Sequence, residues 1–339
     1  MKRILLAVLA VIFIANSCNE PKNELHSLQG QAFGTTYSLG YFAEQPSLDL
    51  EQQLDSVFLA INQSVSTYLP NSDISKVNRG DSTLVVDAIF IYNYSLSKDI
   101  YEQSQGYFDP TVGALRNAYG FGDTDALKVL DATTIDSLRQ MVGFDKVRLT
   151  DKNTIVKKHP GIYFDFNAVA KGYAVDRVAN LLDRAQIENY LVEIGGEIVA
   201  KGINLDKEQA WTVGIEAVDS EIENRSLAAR IRITNKAMAS SGNYRKFRID
   251  PVTGQKYVHT INPLTGSAAK SNVTSATVFA PSCAQADAYA TSFMAMGIDR
   301  SIQLVENLSN IQVYLTYIDS LGTSQSYISE SLKADLLQD

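Results

Sequence analysis

Leu50, Leu54, Val57, Phe58, Ile61 and Val65 recur at the three- and four-residue spacing of a single helical face, which predicts an amphipathic helix laid against a core. Asp87 suits the N-cap of a second helix that carries Ile89, Ile91, Tyr94 and Leu96 and ends near Gly106. A third begins at Asn167-Ala168 and buries Val175, Val178, Leu181 and Leu182, and a fourth spans 284–296. Elsewhere the pattern is that of strands: 31–42, 162–166, 190–194 closed by Gly195-Gly196, 211–215, 227–233, 274–280, and 311–317 as the last. A hairpin is predicted over 147–156, turning at Asp151-Lys152-Asn153. Turn chemistry marks Pro70-Asn71-Ser72, the glycine- and proline-bearing stretch 106–113, and the segments 240–244 and 259–266. Strands outnumber what a doubly wound sheet needs, and helices separate only some of them, so the predicted class is mixed α+β. No repeat or long linker follows residue 27, and 28–339 reads as one domain.

The first residues change the picture from a plain globular chain to an exported one. Met1-Lys2-Arg3 is a basic start, residues 4–14 an apolar run too short to span a bilayer comfortably, and Ala15-Asn16-Ser17 a small-residue site before Cys18. A cysteine at that place resembles a bacterial lipobox, with Ala15 where leucine is commoner. The expectation is a signal peptide over 1–17, lipid on Cys18, and a polar tether over 18–27. Acyl chains on that cysteine would anchor the protein on the extracytoplasmic side of a bacterial envelope. Cys283 is then the one remaining cysteine, expected to be a small buried residue.

Of the 339 residues 45% are hydrophobic, enough for a substantial core, and the net charge is -8 with a pI near 5.0. Nucleic-acid binding is excluded on that balance, since neutralising phosphates needs clustered Lys and Arg. An anionic ligand must instead be held by a local device such as a metal, a helix N-terminus or a backbone nest.

Three places have candidate chemistry. Asp287 and Thr291 lie four apart on a predicted helix, so both oxygens share one face and suit a hard cation such as Mg²⁺. Taken alone, that pair is better explained by an Asp near a helix N-terminus and a Thr bonding back to its own helix. In "DFNAVAKGYAVDRV" a strand leaves through Asp165 into a helix with Lys171 one turn in, where an ammonium could meet phosphate oxygens; a capped surface helix explains it equally well. His259, in the rigid "HTINPLTG", could take a proton from a hydroxyl, or simply bond to backbone.

In order along the chain, "FGTTYS", "STYLPNSDISKVN", "GYFDPTVGAL", "DFNAVAKGYAVD", "VEIGGEIVAKG", "SSGNY", "HTINPLTG" and "ADAYAT" together resemble the ApbE family of flavin transferases over roughly residues 28 to 320. The resemblance implies Mg²⁺-dependent transfer of FMN from FAD to a Thr or Ser hydroxyl of a target protein, with release of AMP. It implies Mg²⁺ ligands at the Ala168 carbonyl, Asp287 and Thr291, with Mn²⁺ as the alternative ion. Ala290 stands where some members have a further Asp, which implies fewer protein oxygens on the metal. FAD contacts are implied at Phe33, Tyr68, Tyr107, Phe108, Asp109, Asp165, Lys171 and Ile261, and His259 resembles the family histidine that activates the acceptor. Hydrolytic members tend to have a small polar residue at the place of Tyr68, so its bulk favours transfer over hydrolysis. "TSAT" at 274–277 looks superficially like a flavin-acceptor motif but lacks its glycine and falls in a predicted core strand. Separate acceptors are therefore expected, such as a membrane redox complex subunit or an extracytoplasmic flavoprotein. The competing readings are a Mg²⁺-dependent FAD pyrophosphatase and a lipid-anchored flavin-binding protein without turnover, which would leave FAD intact.

Overall fold

The computed structural model describes residues 23–337 apart from 219, 221–225, 244–246, 250–253, 255 and 269–270. The expected signal, Cys18 and the first half of the tether lie outside those residues, as does Tyr244 of "SSGNY". Eight strands form the central sheet: β1 (Glu24–Ala32), β2 (Thr35–Ala43), β3 (Tyr190–Ile194), β4 (Glu197–Lys201), β5 (Lys236–Gly242), β6 (Val273–Ala280), β7 (Gln312–Ile318) and β8 (Ser324–Ile328). They lie side by side in chain order, each antiparallel to its neighbour. The mixed α+β expectation therefore holds.

Alternation along the strands splits the core in two. Tyr37, Leu39, Tyr41, Val192, Ile194, Val278, Val313 and Leu315 face a layer of helices: Leu50–Val65, Ala88–Gln103, Ala170–Arg184 and Cys283–Met296. Phe42, Met238, Phe279 and Tyr314 point the other way, onto Trp211, Val213, Ile215, Ile231 and Ile233 of a three-stranded sheet that includes Gln209–Glu216 and Leu227–Ile233. Covering both faces explains why β6 is buried along almost its whole length, its Ser275 and Thr277 included. The helix Cys283–Met296 is buried nearly all round, with only Gln285 and Thr291 partly exposed, which places Asp287 in the interior.

Several expectations change. Residues 31–42 are not one strand: Phe33 and Gly34 take positive φ (52° and 73°) and turn the chain between β1 and β2. β1 begins at Glu24 and pairs from Glu24 with Ala43, so residues 24–27 belong to the sheet rather than to a tether. Residues 162–166 are extended but not a strand, because their backbone groups find partners outside any ladder. Phe164 exchanges both of its hydrogen bonds with the Asn78 side chain, and the Asp165 N–H donates to the Pro110 carbonyl at 2.7 Å. Residues 240–242 of "SSGNY" continue β5, where Ser240 Oγ and Thr277 Oγ1 meet at 2.8 Å. That pairing buries Thr277, in keeping with excluding "TSAT" as a self-acceptor. The Asp87 cap and the 147–156 hairpin are found as predicted, while the polar strand β8 follows the one expected to be last.

Candidate active site

The helices Ala170–Arg184 and Cys283–Met296 meet at their N-terminal ends with nothing between them. A Cβ on Gly172 would stand 2.3 Å from the Cys283 carbonyl oxygen and 2.7 Å from the Ala284 nitrogen, so only glycine fits. Asp176, from one helix, accepts the Cys283 and Ala284 N–H groups of the other at 2.7 and 2.9 Å, and Ser282 caps the same end. With its N-terminus already satisfied, this helix has no need of Asp287 as a cap. Cys283 is fully buried and burial pushes its thiol up, as expected of a packing residue.

Asp287, one turn further in, is 4% exposed and accepts the Gly172 N–H at 3.2 Å. That N–H is one of the first-turn donors of a helix that begins at Ala170 with Val169 as its N-cap, so Asp287 fills a donor the helix itself leaves open. Ala168 precedes the helix, and its carbonyl is not tied into the helical ladder. Lys171 lies in the first turn of its helix and donates to Glu197 Oε1 in a short ion pair. Glu197 is 3% exposed, and its Oε2 is buried without a hydrogen-bond partner. It reaches this place through the Gly195-Gly196 turn, whose positive φ angles (62° and 103°) close a two-residue hairpin. Glu197 pairs with Ile194, so both side chains leave the same face of the sheet, toward the helices.

Burial dominates the charges here. It raises the Glu197 carboxyl to about 7 against the pull of Lys171, and raises Asp287 as well. Burial alone would lower Lys171, but the Glu197 and Asp287 carboxylates outweigh it and hold the ammonium charged. One cation thus faces two carboxylates. Thr291 stands one turn beyond Asp287, partly exposed. The donor set of Asp287, Thr291 and the Ala168 carbonyl, beside an unfilled carboxylate oxygen, is all hard oxygen and fits Mg²⁺. Among the described residues no group of three His, Cys, Asp or Glu is placed to hold a metal by itself, so any ion there keeps other ligands.

A second cluster adjoins in sequence. Asp165 donates nothing; its Oδ1 accepts the Asn167 N–H at 2.8 Å and its Oδ2 the Arg116 guanidinium, in another short ion pair. Arg116 also donates to the Phe121 carbonyl at 2.8 Å and interacts with Tyr68, a residue that is 58% exposed. Tyr68 and Asp165, 97 positions apart in the chain, are thus joined through Arg116.

The remaining predicted residues are dispersed. Phe33 packs edge-on against Phe58 at 5.4 Å between centroids, and Tyr107 lies beneath Arg300. Phe108 is buried in the main core. Asp109 spends its carboxylate on the loop: Oδ1 accepts the Thr111 N–H and hydroxyl at 2.8 and 2.6 Å, Oδ2 the Phe144 N–H at 3.2 Å. Burial raises its carboxyl to about 6. His259 and Ile261 sit on a loop tied down by Thr260, which donates to Asn243 at 3.0 Å, and by Asn262, which accepts the Leu264 N–H at 3.0 Å. Ile261 belongs to a small third core with Leu115 and Tyr119. Glu197 and Arg116 were not singled out from the sequence. For Glu197 a signal was present, because a carboxylate directly across a two-glycine turn from Ile194 must share that residue's buried face.

Comparison with known proteins agrees with this architecture. FAD:protein FMN transferases from Vibrio cholerae and Haemophilus influenzae are 32% and 30% identical over 336 and 346 residues, covering 97% and 98% of this chain and 97% of each relative. The solved structure of the flavin transferase ApbE from Vibrio cholerae superposes with a TM-score of 0.82 at 32% identity, covering 93% of this chain and all of that one. The ApbE protein of Thermotoga maritima superposes at 0.79 with 25% identity, over 93% of this chain and all of that one. With the ApbE family model matching residues 33–315, from the β1–β2 turn to the middle of β7, the chain belongs to the ApbE family.

Proposed function

We propose that this protein transfers the FMN moiety of FAD to a Thr or Ser hydroxyl of a target protein and releases AMP. The observation that carries this reading is the Lys171–Glu197–Asp287 cluster, two buried carboxylates and a partly exposed ammonium, in a chain that relatives named FAD:protein FMN transferase match almost end to end. Asp287, Thr291 and the Ala168 carbonyl hold Mg²⁺, with Mn²⁺ as the alternative; when bound, the ion draws negative charge from pyrophosphate oxygens. The Lys171 ammonium, kept charged by its carboxylate neighbours, meets the same phosphates. Tyr68 and Tyr107 offer ring faces, Phe33 and Ile261 apolar contact, and Asp165 an acceptor held in place by Arg116. Phe108 and Asp109 act by fixing the loop from which Tyr107 projects.

His259 takes the proton of the acceptor hydroxyl. The acceptor oxygen forms a bond to the FMN phosphorus while the bond from that phosphorus to the AMP oxygen breaks, and AMP leaves with the electron pair. Tyr68 covers the bound flavin and hinders water, which favours transfer over hydrolysis. Residues 1–17 supply the lipoprotein signal, Cys18 carries the lipid, and the domain works at the extracytoplasmic membrane surface. Its acceptor is a subunit of a membrane redox complex or an extracytoplasmic flavoprotein.

The test incubates the protein with FAD, Mg²⁺ and a peptide bearing an Asp-Gly-Ala-Thr site, and reads product masses with and without chelator. An FMN adduct on the peptide and free AMP, both lost with chelator, are expected. Free FMN and AMP without adduct would replace the transferase by a pyrophosphatase, and intact FAD would reduce it to a binding protein.

A further inference from the structure

Glu197 is the member of the cluster whose hydrogen bonding is unfinished. Oε1 receives the Lys171 ammonium, but Oε2 is buried beside it with no partner. The side chain is 97% buried and is aimed, by its pairing opposite Ile194, at the helices that carry Lys171 and Asp287. Buried polar atoms are seldom left without a partner, and a carboxylate oxygen is the costliest kind to leave so. Lys171 does not fill it, because its ammonium is already donated to Oε1 of the same carboxylate. If Glu197 served only to clamp Lys171, one oxygen would suffice and the other would be a standing penalty.

We infer that Glu197 is a second carboxylate of the divalent-cation site: its Oε2 accepts a hydrogen bond from a water of the hydrated ion held at Asp287, while Oε1 keeps Lys171 turned toward the same place. The inference rests on the cation site proposed above. Contact through water suits Mg²⁺, which dehydrates reluctantly and commonly keeps several waters beside one or two carboxylates. It also suits a site with too few clustered protein ligands to enclose an ion. Outer partners of this kind orient the ligands proper, and their loss weakens metal binding without abolishing it. Glu197 is on this reading a positioning residue, acting on Lys171 and the cation's water rather than on FAD.

Binding of Mn²⁺ to the full chain in detergent, without FAD, separates the possibilities, with free Mn²⁺ read by its electron paramagnetic resonance signal. Glu197→Gln keeps the shape and an oxygen for Lys171 but removes the charge; its Mn²⁺ affinity is expected to fall by roughly 10- to 100-fold. Asp287→Asn should lose the site altogether. If Asp287→Asn fails to bind while Glu197→Gln binds within about twofold of the natural protein, the inference is overturned and the cation site stands. If Asp287→Asn binds normally, the cation site itself falls, and this role of Glu197 with it. Should Glu197→Gln not fold, the natural protein decides: with glutamate carboxyls labelled with carbon-13, Mg²⁺ at the tight site should produce an isotope-sensitive carboxylate band in the infrared difference spectrum. Absence of such a band overturns the inference.

Discussion

Gly172→Ala is the smallest change that tests how the site is assembled. The added methyl would lie 2.3 Å from the Cys283 carbonyl oxygen, 2.5 Å from its carbon and 2.7 Å from the Ala284 nitrogen, all backbone atoms that no side-chain rotation can move aside. Restoring ordinary contact requires the two helices to part by roughly 1 Å. Overpacking of this kind costs about 3 kcal/mol at the upper end. Alanine's better helix propensity returns at most about 1 kcal/mol, leaving a net loss of about 2 kcal/mol. Urea unfolding should show that loss with an unchanged m-value. Activity should suffer more than stability, because the same displacement separates Lys171 from Asp287 and breaks the Gly172 N–H contact at 3.2 Å. A misplacement of about 1 Å in a positioned group can reduce turnover by about 100-fold. Gly40→Ala is the control: its Cβ would meet only Leu25 Cδ1, at 3.7 Å, and both stability and turnover should be retained. If Gly172→Ala unfolds and turns over like the natural protein, the helices do not meet as described and the site is not built on their contact.

Asp287→Ala should abolish AMP release from FAD while the protein stays folded, and near-normal release would remove Asp287 from the site. Tyr68→Asn should raise free FMN relative to peptide adduct in the same reaction, whereas an unchanged ratio would deny Tyr68 its covering role. Asp109 has a folded-state pKa raised by burial to about 6, so its favourable contribution is complete below its unfolded value and is lost as pH rises through about 6. Urea unfolding of the natural protein and Asp109→Asn between pH 4 and 7 should therefore show the natural protein losing up to about 3 kcal/mol relative to the variant as pH rises. A difference that does not change with pH would mean that Asp109 titrates normally.

Wherever the determining interaction is local, the sequence could be read directly. The Leu50 face, the Asp87 cap and the 147–156 hairpin depend on contacts within about four residues, or on one turn, and the chain forms them as its pattern predicts. The four-residue step from Asp287 to Thr291 and the order of the motifs were legible for the same reason, and the motif order carried the family with it. The turn at Phe33-Gly34 was missed because a phenylalanine with positive φ is not ordinary turn chemistry. Residues 162–166 have the composition of a strand, but whether they pair depended on Asn78, 86 positions away, whose amide takes the hydrogen bonds of Phe164 in place of a neighbouring strand. β8, with the sequence SQSYI, has too little apolar alternation to stand out and exists because β7 presents an edge to it. The site shows the same division. Lys171 and Asp287 could each be picked out by type and neighbours, but Glu197 becomes their partner only when the two-glycine hairpin turns it inward and Gly172 lets the helices touch. Glu197 is 26 positions from Lys171, and Gly172 is 115 from Asp287. Local sequence rules govern the few residues that share a turn, whereas the burial that leaves one ammonium between two carboxylates arises only when distant segments displace the water between them.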